Sequence, residues 1–163
     1  MEKLSHTLPP VFDASSEILI LGSFPSKKSR ETDFYYGNPQ NRFFRVLASL
    51  RNAPLPVDTE EKKAFLLRNH IALWDVIASC EITGSSDASI RNALPNDLSR
   101  ITSQAPIKAV FLNGKTALRL YQKHLETQTG LAGISLPSTS PANAAWNLEK
   151  LRRAWSVINT YLS

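Results

Sequence analysis

Four short apolar runs constrain this chain most: residues 17–22, 71–76, 109–112 and 133–136. Each is strand-sized and gives way to a polar turn, while the stretches between them carry helical periodicity. Residues 41–51 read as a helix with Phe44, Leu47 and Leu50 inward, and 114–125 as one with Leu118, Tyr121 and Leu125 inward. Asp58 and Glu61 fit a capping box that opens a helix through Leu67. A further helix is expected near 97–103. Ser140 as N-cap and Pro141 at the first helical position predict a last helix to about Tyr161. This alternation predicts an α/β chain: a three-layer α/β/α sandwich around a short, mainly parallel sheet.

The 163 residues suit a single domain with one core, with 1–14 expected as a loosely ordered lead-in. No repeat or long linker divides the chain. No apolar stretch reaches membrane-spanning length, and Met1-Glu2-Lys3 opens no apolar signal region. Cys80 stands alone, which excludes a disulfide framework and a cysteine-built metal site. A cytoplasmic monomer without membrane partner, metal or cofactor is expected. The formal charge is +5, and Lys27, Lys28, Arg30, Arg42 and Arg45 gather about one loop, which favours a polyanionic partner.

In a parallel sheet all carboxyl ends face one edge, where ligands bind. Gly22-Ser23-Phe24-Pro25-Ser26, Asp75, Asn113-Gly114-Lys115 and Ser138-Thr139-Ser140 follow the four runs and should converge there. The segment 22–44 is a long loop of the kind that carries function. Its Phe34, Tyr35 and Tyr36 are interleaved with basic residues, which suits an extruded base and its backbone. Asn113-Gly114-Lys115-Thr116 is not a phosphate-binding P-loop, because Ala109 stands where that motif needs glycine.

The segments GSFPS, YYGNPQNRF, LWD and LPSTSPA, in that order, resemble the hypoxanthine-DNA glycosylase branch of the uracil-DNA glycosylase superfamily. That resemblance implies a base-flipping DNA repair enzyme acting on DNA. It would release a deaminated base by hydrolysis, hypoxanthine first and uracil second, and leave an abasic site. No motif lysine suits Schiff-base formation, so a monofunctional enzyme is implied. The mismatch-specific branch's catalytic Asn would fall at Phe24, which cannot orient water. The resemblance moves that role to Asn38, with Asn41 as rival. It puts Phe24, Tyr36, Asp75 and Asn113 at the base, Tyr36 stacking. Ser23, Lys27, Lys28, Arg42, Ser138, Thr139 and Ser140 then fall to the DNA.

Plainer roles stand beside these. Asn38 before Pro39 suits a turn that bonds its own backbone, and Asn41 suits a helix N-cap. Arg42 suits either a structural or a phosphate contact. Asp75 suits a strand end or cap. As a base reader it would accept a ring N–H and leave the neighbouring carbonyl unmet, unless it is protonated or a backbone N–H serves. Ser138, Thr139 and Ser140 ahead of a helix N-terminus suit a phosphate. His6, His70 and His124 read as surface or packing residues. Two other functions stay open: a catalytically silent nucleic-acid-binding module on this scaffold, and a small-nucleotide-binding protein.

Overall fold

The structure, a computed structural model, describes residues 2–6, 8–83 and 86–163. Its strands are β1 (Glu2–Ser5), β2 (Ile18–Gly22), β3 (Ile71–Asp75), β4 (Ile77–Ile82), β5 (Arg91–Pro95), β6 (Ala109–Asn113) and β7 (Gly133–Leu136). Its helices are α1 (Lys27–Thr32), α2 (Phe43–Leu50), α3 (Thr59–Arg68), α4 (Ser99–Thr102), α5 (Lys115–His124), α6 (Glu126–Thr129) and α7 (Leu148–Trp155). The four apolar runs form one parallel sheet in the order β3-β2-β6-β7, flanked by helices. Ile18 through Leu21 and Ile71 through Leu73 are fully buried, as unbroken apolar runs become when a sheet is covered on both faces.

Strand order places the ligand crevice. The chain leaves β2 towards β3 on one side, and leaves β6 towards β7 on the other. The carboxyl ends of β2 and β6 therefore flank a topological switch point, where the departing loops diverge and leave a gap.

The opposite edge of the sheet is a structural clamp. Glu17 receives the Lys108 ammonium at 2.7 Å, and the Ser163 N–H and hydroxyl at 3.0 and 2.8 Å. The hydrogen bond from Lys108, then those from Ser163, hold the Glu17 carboxyl at about 2 instead of 4.5. Glu17 thus stabilises the fold fully above its ordinary value, and that contribution fades as pH falls from about 4.5 to about 2. Glu17→Gln is expected to lose about 1–2 kcal/mol at neutral pH. Thermal melts of both proteins against pH should converge near pH 2.

Several expectations needed correction. Residues 1–14 are not loosely ordered where described: β1 pairs antiparallel with β4, and Leu8 and Val11 join the core. β1, β4 and β5 form a second, antiparallel sheet in the order β1-β4-β5. Between β4 and β5, Gly84 and Ser85 lie outside the described residues. The loop from 22 to 44 contains α1, capped by the Ser26 hydroxyl, which accepts the Ser29 N–H at 3.1 Å.

The last helix does not start at Ser140. Residues 140–146 turn irregularly, and Asn147 caps α7 by accepting the Lys150 N–H at 2.9 Å. α7 then tightens into a 3-10 segment, Ser156–Tyr161. The Asp58 cap forms as expected: its carboxylate accepts the Glu61 N–H at 2.8 Å, while Glu61 reaches back to the Val57 N–H.

No helix among the described residues is long and apolar enough to cross a membrane.

Candidate active site at the carboxyl edge of the sheet

A cavity of about 880 Å³ opens at the switch point, within the roughly 300–1,000 Å³ of small-ligand pockets. The segments following β2, β3, β6 and β7 all reach it, so Tyr36, Asn38, Asp75, Asn113 and Ser138 share one wall system. Residues as far apart in sequence as Gly22 and Trp146 meet here because parallel strands end together.

Asp75 stands at the end of β3 with only 4% of its surface exposed, and it lines the cavity. Its Oδ2 lies 2.9 Å from Nε2 of His6, whose side chain is almost fully buried. Its Oδ1 faces Gly22, where an added Cβ would sit 2.5 Å from that oxygen. Only glycine therefore fits beside the carboxylate at the end of β2. Below, the Asp75 carbonyl accepts the Asn96 side-chain amide at 2.9 Å, which fixes the strand end. His6 was expected at the surface or in packing and is instead the direct partner of Asp75. No local signal could have found it, because the pair spans 69 positions.

The aromatic cluster divides as its burial dictates. Phe34 and Tyr35 are core residues, and the Tyr35 hydroxyl donates to the carbonyls of Pro9 and Leu8. Burial, reinforced by the nearby Asp75 charge, pushes the Tyr35 phenol far up, so it stays protonated. Tyr36 is half-buried and adopts a left-handed backbone with φ +54°. Such a backbone is costly for a side-chain-bearing residue and tends to persist at functional sites. The Tyr36 ring stacks on Phe43 at 4.0 Å and 16° and meets Phe44 edge-on, and the residue lines the cavity. Gly37 follows because the chain passes α1 closely: a Cβ there would lie 2.2 Å from the Thr32 hydroxyl. Phe24, 7% exposed, adds apolar wall to the cavity.

Asn113 and Thr139 cross-link the loops after β6 and β7. The Asn113 amide donates to the Tyr36 hydroxyl at 3.1 Å and to the Thr139 hydroxyl at 3.0 Å, and its carbonyl accepts the Thr139 N–H. Thr139 in turn donates to Asn41 at 2.9 Å. It is fully buried, so it cannot make the phosphate contact expected of it.

The two asparagine candidates separate here. Asn41 accepts from both the Phe43 N–H and the Thr139 hydroxyl, which occupies its carbonyl. Asn38 accepts the Gln40 N–H at 2.9 Å, an Asx turn, and lines the cavity. The turn fixes its rotamer while a carbonyl lone pair remains.

Of the two roles open to Arg42, a phosphate contact and a structural one, its bonds are those of a loop clamp. Its guanidinium donates to the carbonyls of Trp146, Ser140, Asn143 and Thr139. These bonds hold the irregular turn of residues 140–146 against α2, satisfying carbonyls that a helix starting at Ser140 would have paired internally. Ser140 accordingly caps no long helix; its hydroxyl accepts the Ala142 N–H within the turn. Ser138 is half-buried, lines the cavity and accepts the Ser140 N–H. Ser23 is buried in the wall.

A second depression of about 520 Å³ adjoins the first and shares Ser26, Asn38, Asn41 and Ser140 with it. The exposed Lys27 and Lys28 of α1 line it. The cavity rim also holds Lys115, exposed at the start of α5 where the strand-end segment was expected, and the half-buried Trp146, which was not singled out.

Comparisons with known proteins agree with this arrangement. The family described as "Uracil DNA glycosylase superfamily" matches residues 9–160. A protein of Methanosarcina acetivorans named hypoxanthine DNA glycosylase is 38% identical over 142 residues, covering 86% of this chain and 89% of its own. Its namesake from Methanosarcina barkeri is 39% identical over 109 residues, covering 66% of this chain and 69% of its own. The solution NMR structure of a uracil DNA glycosylase candidate from Methanosarcina acetivorans superposes with a TM-score of 0.81 at 33% identity, over 94% of this chain and 95% of that one. A match to the family over nearly the whole chain, on a fold whose switch point opens into one polar and aromatic cavity, makes this protein a DNA glycosylase of the uracil DNA glycosylase superfamily.

Proposed function

We propose that the protein hydrolyses the N-glycosidic bond of deoxyinosine in DNA, releasing hypoxanthine and leaving an abasic site. The observation that carries this reading is the buried Asp75 carboxyl, which lines the cavity with its Oδ1 beside Gly22. A carboxylate accepts hydrogen bonds and donates none. Deamination of adenine converts a bare ring nitrogen into a ring N–H next to a carbonyl, and that N–H is what such an acceptor selects. Uracil presents a similar N–H on a smaller ring and is released more slowly. The relatives named for hypoxanthine support the same choice.

In the proposed sequence Lys27 and Lys28 hold backbone phosphates at the second depression while one nucleotide swings into the cavity. Ser138 approaches the backbone from the cavity and Ser140 from the shared rim. The base stacks against Tyr36 with Phe24 beside it, and its ring N–H meets Asp75. Stacking contributes roughly 1–3 kcal/mol and holds any flipped base, so selection falls to the hydrogen bond. As the C–N bond breaks, the sugar gains oxocarbenium character and the base leaves with the bonding electrons. Asn38 accepts a hydrogen bond from the water that adds to the sugar carbon, and the proton this water sheds neutralises the departed base.

Duplexes carrying one deoxyinosine, deoxyuridine or deoxyxanthosine test the reading. Free hypoxanthine should appear by chromatography, with strands intact until alkali cleaves the abasic site. No release at excess enzyme would overturn the function. Spontaneous nicking with a borohydride-trapped adduct, for which Lys115 is the candidate, would overturn the hydrolytic route.

A further inference from the structure

We infer that His6 is a specificity-setting positioning residue, which makes Asp75 a one-way acceptor and so bars the undamaged parent bases adenine and cytosine. The inference rests on the reading of Asp75 above and adds a second residue from outside the catalytic loops.

His6 does not line the cavity; Asp75 does. The imidazole sits behind the carboxyl, with Nε2 2.9 Å from Oδ2, and both side chains are nearly inaccessible. Its place is built by tertiary structure. β1 pairs with β4 through Ser5 and Ser79, and the His6 N–H donates to the Ala78 carbonyl at 2.6 Å. The ring is enclosed by Phe24, Tyr35 and Trp74 at centroid distances of 6.0, 6.0 and 6.3 Å. A buried ring so enclosed has little room to rotate away from its partner.

The consequence follows from where one proton can sit. Either Nε2 carries it and donates to Oδ2, or Oδ2 carries it and donates to Nε2. In both arrangements Oδ1, the oxygen turned towards Gly22, is an acceptor without a proton. While the pair holds that single proton, Asp75 presents no O–H to the base. Hypoxanthine, xanthine and uracil offer a ring N–H to that oxygen. Adenine and cytosine offer a lone pair and meet repulsion, so the pair reads the atom that deamination changes. Guanine already carries a ring N–H and must be excluded by shape. Without His6, an Asp75 proton could move to Oδ1 and donate to adenine, and the carboxyl could rotate.

The test compares affinities for duplexes carrying 2′-fluoro-deoxyinosine or 2′-fluoro-deoxyadenosine opposite thymine; the fluorine blocks cleavage. The energetic difference in extruding the two nucleotides cancels when the inosine-to-adenosine affinity ratio of a variant is divided by that of the wild type. His6→Leu should lower the ratio about tenfold or more, the usual scale for a buried hydrogen bond made or lost. His6→Asn, which retains an N–H donor, should restore part of it.

In an Asp75→Asn background, His6→Leu should leave the ratio unchanged, because the amide already presents both a donor and an acceptor. That comparison also serves if the single Leu variant folds poorly. An unchanged ratio in His6→Leu, or equal weakening of both duplexes without rescue by Asn, would overturn the inference. The proposed function would survive that result, since it stands or falls on release of hypoxanthine by the wild-type enzyme.

Discussion

Asn38→Ala should slow base release about a hundred- to a thousandfold in single-turnover assays, the scale of a lost water-positioning group. Affinity for deoxyinosine duplexes should stay within about twofold, because Asn38 faces the cavity and neither lysine of α1 moves. Stability should fall by less than about 1 kcal/mol, since the side chain makes one bond, to the Gln40 N–H, at a half-buried position. Asn41→Ala should do the reverse. Its carbonyl joins the Phe43 N–H and the Thr139 hydroxyl, so its loss loosens the start of α2 and the loop after β7. Equal release by Asn38→Ala and wild type would remove Asn38 from the chemistry.

Arg42→Ala should be the most destabilising of the site substitutions. It leaves the carbonyls of Thr139, Ser140, Asn143 and Trp146 without their shared donor. Hydrogen bonds from a charged group are worth roughly 1.5–3 kcal/mol each, but several of these carbonyls can turn to water. A net loss of about 3 kcal/mol, or about 10 °C in melting temperature for a chain of this size, is expected. Activity should fall with it, because the turn of residues 140–146 borders both depressions. The competing role has a different outcome. An arginine on a phosphate would leave the melting temperature unchanged and reduce the salt dependence of DNA affinity by about one unit.

The parallel sheet was legible because β2, β3 and β6 are built on unbroken apolar runs, and the crevice followed from the rule that such strands end together. The second sheet was not. β1 reads Glu-Lys-Leu-Ser, with no alternation to announce a strand, and it is held by pairing with β4 more than 70 residues away. Tertiary pairing of this kind overrides weak local preference. His6 was hidden for the same reason, since it travels with β1. At Ser140-Pro141 the local pattern pointed to a helix start, yet Arg42 supplied another partner for the carbonyls. Asn147, followed by Glu149 in the first turn of α7, carried the true start in the sequence. Asn38 shows the limit of reading a site from motifs: its turn bond and its place in the cavity coexist, so the plain role and the functional one are not exclusive.

A crystal structure with a duplex containing 2′-fluoro-deoxyinosine puts the central claim at most direct risk. The hypoxanthine ring should lie in the cavity between the ends of β2 and β6, against Tyr36, with its N1–H on Oδ1 of Asp75. Inosine still stacked in the duplex, or DNA docked on a face remote from α1, would contradict it.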